Sequence, residues 1–146
     1  NYCLGEVECA VGAKLLDRLR EMNGKRRQRA MKFIDSLNEF SDLIFHRENT
    51  SRHNYHLLVA QVRDEMRDNF MRRMANHHGI QCVVQYCPLN RYPFYQKVGM
   101  GDAECPNADR FFDNMVSFPF HDSLSDDDLK QIVASTRNVL DQLKIE

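Results

Sequence analysis

The chain has 146 residues, a formal net charge of -1, 42% hydrophobic and 28% charged residues. That is enough chain for one domain with its own core, and the near-neutral balance excludes a global field that would draw it to nucleic acid or an anionic membrane. No apolar run approaches the roughly 18 residues that a membrane span requires.

The first residue is Asn, and no basic start with an apolar stretch follows it, so no signal peptide is read here. The chain is expected to begin partway through a longer protein. The five cysteines (Cys3, Cys9, Cys82, Cys87, Cys105) are an odd number at irregular spacing, which points to a reducing, cytoplasmic setting. His77 and His78 beside Cys82 and Cys87 resemble a metal set, but the spacing fits no usual zinc site, and no metal is expected.

Apolar residues at Leu4, Val7, Val11, Leu15, Leu19 and Met22 recur in steps of three and four, predicting a helix with one apolar face. Ala10, Gly12 and Ala13 form a small-residue patch on it that suggests close approach of another backbone. Gly24 is expected to break or bend this helix. A second amphipathic run places Ala30, Phe33, Ile34 and Leu37 inward, and its basic start, Lys25 to Arg29, reads as a solvated helix face.

After a polar loop at Asn49 to Asn54, Tyr55 to Val62 reads as a strand. Asp64 is a candidate N-cap for a helix with Met66, Phe70 and Met74 inward, and Gly79 is its stop. Cys82 to Tyr86 predicts a second strand ending before Pro88. An aromatic loop, Arg91 to Glu104, leads to a short helix that Pro106 suits at its first turn.

Met115 to Phe120 predicts a third extended segment. Ser125 then caps the last helix, with Asp126, Asp127 and Asp128 on its positive end and Leu129, Ile132, Val133, Leu140 and Leu143 inward. The order predicts an α+β domain, a small sheet covered by helices on one side. No complete catalytic constellation is visible. The segment from Gln85 to Tyr95 stops a strand at a loop of Tyr, Asn and Arg, a position that often carries ligand contacts. A packed aromatic loop is the competing reading. His56 and His121 are read as structural, hydrogen-bonded histidines.

Three ordered segments together resemble the DegT/StrS group of sugar aminotransferases. They are Asn1-Tyr2-Cys3-Leu4-Gly5-Glu6 with Ala10-Val11-Gly12; Tyr55-His56-Leu57-Leu58-Val59, Gly79-Ile80 and Gln85-Tyr86 followed by Pro88-Leu89; and Pro93-Phe94-Tyr95, Ser117-Phe118-Pro119-Phe120-His121 and Leu124-Ser125-Asp126. The resemblance implies the small C-terminal domain of an aspartate-aminotransferase-like, fold type I enzyme. Asn1 to about Phe40 would be linker helices to an N-terminal domain, and Tyr55 to Leu143 the α/β core.

It further implies a cytoplasmic homodimer with a shared active site, dependent on pyridoxal 5'-phosphate (PLP). The enzyme would move an amino group, typically from glutamate, to a keto-sugar nucleotide in amino-sugar, lipopolysaccharide or antibiotic biosynthesis. The catalytic lysine is expected upstream, so this chain alone is expected to be inactive. Asn1 matches the asparagine that reaches the cofactor phosphate of the neighbouring subunit, and Gln85, Tyr86 and Asn90 occupy the motif that faces the sugar nucleotide.

The sequence departs from the pattern at Cys3, where Arg is usual, and at Gln85 and Asn90, where His is usual. Two imidazoles are thereby replaced by amides that do not titrate near neutral pH. The alternatives are a PLP-dependent sugar dehydratase of the same family, with His at the lysine position, and a non-catalytic dimerisation or interaction module.

Overall fold

The structure, a computed structural model, describes residues 3–46, 53–63 and 65–144. Asn1, Asp64 and most of the polar loop at 49–54 lie outside them. Helix α1 spans Glu6–Asp35, 30 residues, without interruption. The break expected at Gly24 does not occur. Nothing lies within 4 Å of a side-chain position built there, and the roughly 1 kcal/mol that Gly costs a helix is small beside the burial of Ala30, Phe33 and Ile34 that anchors it.

The expected close approach at Gly12 is likewise not found: nothing described lies within 4 Å of it, and Ala10 and Ala13 are exposed. The apolar stripe ahead of Gly24 faces outward, from 46% exposed at Leu19 to 75% at Leu4.

Strands β1 (Leu43–Phe45), β2 (Leu58–Val62) and β3 (Met115–Phe118) form an antiparallel sheet in the order β1-β2-β3. β1 was not anticipated from the sequence, and β2 is shorter than expected. Tyr55 sits at φ 49, a left-handed conformation outside any strand. Local side chains hold it there: His53 Nδ1 accepts from the Tyr55 N–H at 3.0 Å, and Asn54 Oδ1 from the His56 N–H at 3.0 Å. Such bonds compete with a sheet ladder.

The expected strand at 82–86 is also corrected. Only Val83 pairs, exchanging backbone bonds of 3.0 and 2.8 Å with Ser117 before the chain leaves the sheet edge. The loop expected at 91–104 contains structure as well: a 3-10 turn, Leu89–Arg91, runs into helix α3, Pro93–Lys97.

Helix α2 (Arg67–His78) buries Phe70 and Met74 and ends at Gly79, φ 65, where the Ile80 N–H donates to the Met74 carbonyl at 3.0 Å. α4 (Pro106–Asn114) carries Pro at its start. α5 (Asp126–Leu143) begins with a reciprocal cap: the Asp128 N–H donates to Ser125 Oγ at 3.1 Å, and the Ser125 N–H to Asp128 Oδ2 at 2.8 Å.

Leu58, Ala60 and Val62 alternate onto one face of β2 and are buried, and the register places Leu58 opposite Phe118 and Ala60 opposite Val116. On that face Phe118 meets Phe33 of α1 (ring centroids 5.2 Å apart) and Phe70 of α2 (6.1 Å). α5 lies along α2 and buries Ile132, Ser135, Thr136, Val139, Leu140 and Leu143, whereas Leu129 and Val133, expected inward, are only half-buried.

Leu140 is 1% exposed, so Leu140→Ala should destabilise the fold by about 2–5 kcal/mol in urea unfolding. Gly79→Ala, forced into a left-handed conformation, should lose about 1–2 kcal/mol in the same measurement.

Candidate functional site

Antiparallel pairing puts the start of β2 and the end of β3 at one end of the sheet. The Val83–Ser117 pair brings residues 81–85 to the same end. A groove of about 360 Å³ opens there, with Leu57, Val83, Phe118, Pro119 and Phe120 as its apolar lining and His56, Gln81, Gln85 and Ser117 as its polar residues. The side chains of His56, Gln81 and Gln85 have no hydrogen-bond partner among the described residues.

The walls are held by arginines that the sequence reading placed on a solvated face. Arg26 donates to the carbonyls of Tyr55 (3.3 Å) and His56 (3.4 Å), pairs with Asp122 at 3.2 Å, and lies 5.9 Å from the Phe120 ring centroid. Arg29 donates to the carbonyls of Leu124 and Asp122 and pairs with Asp126 at 3.3 Å. Three residues apart on α1, both lie on the side that carries Ala30 and Phe33 toward the core. Lys25, by contrast, pairs with Glu21 in solvent, as a surface charge should.

Gln85 alone of the candidate substrate residues lines this groove. Tyr86 is 69% exposed and lies outside its lining. Asn90 turns away and donates from Nδ2 to the Ala103 carbonyl at 3.1 Å, which ties the 3-10 turn to the loop before α4. Asn1 lies outside the described residues.

Arg91, the arginine of the loop expected to carry ligand contacts, instead fixes the same turn to α4. Its Nε meets Asp109 at 2.6 Å, its two terminal nitrogens meet Asp113 at 2.6 and 3.0 Å, and its guanidinium stands 5.2 Å from the Phe112 ring centroid. These hydrogen bonds favour the charged forms, holding the Asp113 carboxyl below its ordinary 3.8 and raising the guanidinium further above the range where it could lose its proton.

Cys82 is buried, and burial pushes its thiol up to about 12, so it stays protonated. No disulfide joins the five cysteines. Among the described residues no three His, Cys, Asp or Glu side chains are grouped to hold a metal ion, and no helix is long and apolar enough to cross a membrane. A second groove of about 510 Å³ lies between α1 and α5. Three of its rim cations, Arg29, Lys130 and Arg137, are already paired with Asp126, Asp127 and Glu39. The sheet-end groove, with polar side chains left unpaired, is the better candidate for a polar ligand.

A three-stranded antiparallel sheet with helices on its buried face and a long leading helix is the fold of one part of a fold type I aminotransferase. The chain superimposes on the PLP form of a Streptococcus pneumoniae protein assigned as a sugar aminotransferase with a TM-score of 0.83, at 23% identity, over 96% of this chain and 36% of that one. The sequence narrows the class. Residues 1–137 match the model of the DegT/DnrJ/EryC1/StrS aminotransferase family, and the chain belongs to that family.

It is 27% identical over 141 residues to the spore coat polysaccharide biosynthesis protein SpsC of Bacillus subtilis, covering 92% of this chain and 36% of that protein. It is 29% identical over 149 residues to the UDP-4-amino-4,6-dideoxy-N-acetyl-beta-L-altrosamine transaminase of Campylobacter jejuni, covering 99% and 39%. The chain thus spans less than two fifths of the length of these relatives.

The Arg91 brace can be tested by titration. Because the folded-state value of Asp113 is the lower one, its contribution to stability is present above the ordinary 3.8 and is lost as pH falls through the depressed value. In Arg91→Met the Asp113 carboxyl should titrate nearer its ordinary value by NMR, and the acid limb of the stability profile should flatten. An unchanged Asp113 titration would remove Arg91 as the cause.

Proposed function

We propose that the complete protein transfers an amino group, with glutamate as donor, to a keto-sugar nucleotide in the biosynthesis of an amino sugar or polysaccharide. Fold alone leaves chemistry open. The observation that carries the reading is the family match along residues 1–137, and the transaminase and polysaccharide-biosynthesis relatives point the same way. PLP is the proposed cofactor, supported by the PLP form of the solved neighbour. When bound, it acts as the electron sink for the carbon that gives up or receives the amine.

This chain's share is to hold the substrate. Amides both donate and accept, which suits sugar hydroxyls and phosphate oxygens, and the apolar lining of the groove keeps water from competing with them. Gln85 is proposed to contact the sugar nucleotide there. Tyr86, next to Gln85, and Asn90, on the 3-10 turn, are proposed to approach it from outside the groove lining. No described lysine lines the groove, so the residue that anchors the cofactor is proposed to come from the remainder of the protein. Asn1 is proposed to donate to the cofactor phosphate across a homodimer interface.

Residues 1–40 are proposed to link the small domain to the rest. The outward apolar stripe supports this, because five large apolar side chains on the first half of α1, with Leu4 just before it, are a surface that something covers. The odd number and irregular spacing of the cysteines support a cytoplasmic setting.

The complete protein, supplied with PLP, glutamate and a UDP-linked keto sugar, should form 2-oxoglutarate and the aminated sugar in equal amounts by mass spectrometry. Dehydrated sugar without amine would instead identify the dehydratase of the same family. The 146-residue chain alone should turn over neither substrate. Asn1→Ala in the complete protein should lower PLP retention on gel filtration without shifting the Tm of the apoprotein.

A further inference from the structure

One polar side chain of the groove was expected to be structural. His56 lies two residues before β2 and lines the groove together with Gln81, Gln85 and Ser117. A structural histidine is expected to spend its imidazole on a neighbour. Here the backbone makes the attachments instead: the His56 N–H donates to Asn54 Oδ1 at 3.0 Å, and its carbonyl accepts from Arg26 at 3.4 Å. The imidazole is exposed and has no partner among the described residues. Both ends of the residue are fixed while its chemical group is left free at the groove wall.

The rest of the lining sharpens this. Leu57, Val83, Phe118, Pro119 and Phe120 offer a ligand no side-chain hydrogen bond, so polar contact with side chains falls to His56, Gln81, Gln85 and the Ser117 hydroxyl, which carries no charge. The two glutamines are neutral, and His56 is the one lining side chain able to carry charge. Arg26, which holds the His56 carbonyl, is itself paired with Asp122 at 3.2 Å. An anionic oxygen entering the groove therefore meets one candidate cationic donor in its lining.

We propose that His56 is a substrate-binding residue of this groove, donating an imidazole N–H to a phosphate or hydroxyl oxygen of a sugar nucleotide. The proposal rests on the sugar-nucleotide reading above and adds to it the residue that recognises the anionic part. His56, rather than either amide, then sets how tightly the charged portion is held.

The test uses the complete, PLP-loaded protein and, as probe, UDP-4-amino-4,6-dideoxy-N-acetyl-beta-L-altrosamine, with binding followed by calorimetry. His56→Ala should raise Kd about tenfold, the loss of one charge-assisted hydrogen bond. His56→Gln, which retains an N–H donor, should recover part of that loss. Tm and PLP content should match the wild type in both variants, because the imidazole supports nothing else described.

Wild-type affinity in His56→Ala alongside weakened binding in Gln85→Ala would overturn the inference and leave the sugar-nucleotide reading standing. Wild-type affinity in both, or no binding by the wild type, would overturn both together. A lowered Tm or PLP content in His56→Ala, or a His56→Gln variant no tighter than His56→Ala, would make His56 structural and overturn the inference alone.

Discussion

The register between β2 and β3 is the constraint on which the rest of this chain depends. Leu58 opposite Phe118 and Ala60 opposite Val116 put four buried side chains on one face, and α1 and α2 close over that face through Phe33 and Phe70. A slip of one residue would turn Leu58, Ala60 and Val62 onto the half-buried opposite face of β2. The same pairing brings the lead-in to β2 and the exit from β3 to one end of the sheet, and Val83 joins them by pairing with Ser117. Core and groove are therefore consequences of a single alignment: the groove exists where the ladder stops.

Two arginines then fix the segments that follow and precede the sheet. Arg26 reaches from α1 to the backbone before β2 and to Asp122 after β3, and Arg91 joins the 3-10 turn to α4. Exposed ion pairs taken singly stabilise little. These act differently, because each planar guanidinium meets several acceptors at once and so fixes direction as well as distance. Loops that lack sheet or helix bonding of their own acquire a defined shape from them.

The legible parts of the sequence were those governed by neighbours. Ser125 with Asp128, Gly79 after His78, and Pro106 at a helix start are local chemistry, and each marks a helix boundary where expected. The less legible parts depend on distant partners or on competition between local bonds. Tyr55 has a strand-former's side chain, yet His53 and Asn54 bind the backbone around it and delay β2. Residues 82–86 have strand composition, but only Val83 finds a partner on the sheet edge.

β1, three residues long, leaves too brief a pattern to read. Gly24 looked like a boundary because propensity was weighed without the anchoring of the helix's far end. Arg26 and Arg91 reach partners 29 and 18 residues away, and no spacing rule announces such a contact. Within the candidate site, Gln85 was found through its motif. His56 was seen and set aside, because a histidine's use depends on which of its atoms the fold leaves unengaged.

The unbroken course of α1 has a mechanical consequence. Thirty residues in one helix make a rod about 45 Å long. Its first half is apolar and outward, and its second half bears on the core through Phe33 and on the groove through Arg26. Because the helix runs unbroken through Gly24, one rigid element carries both the outward stripe from Val7 to Leu19 and Arg26, whose guanidinium holds the His56 carbonyl and lies over the Phe120 ring.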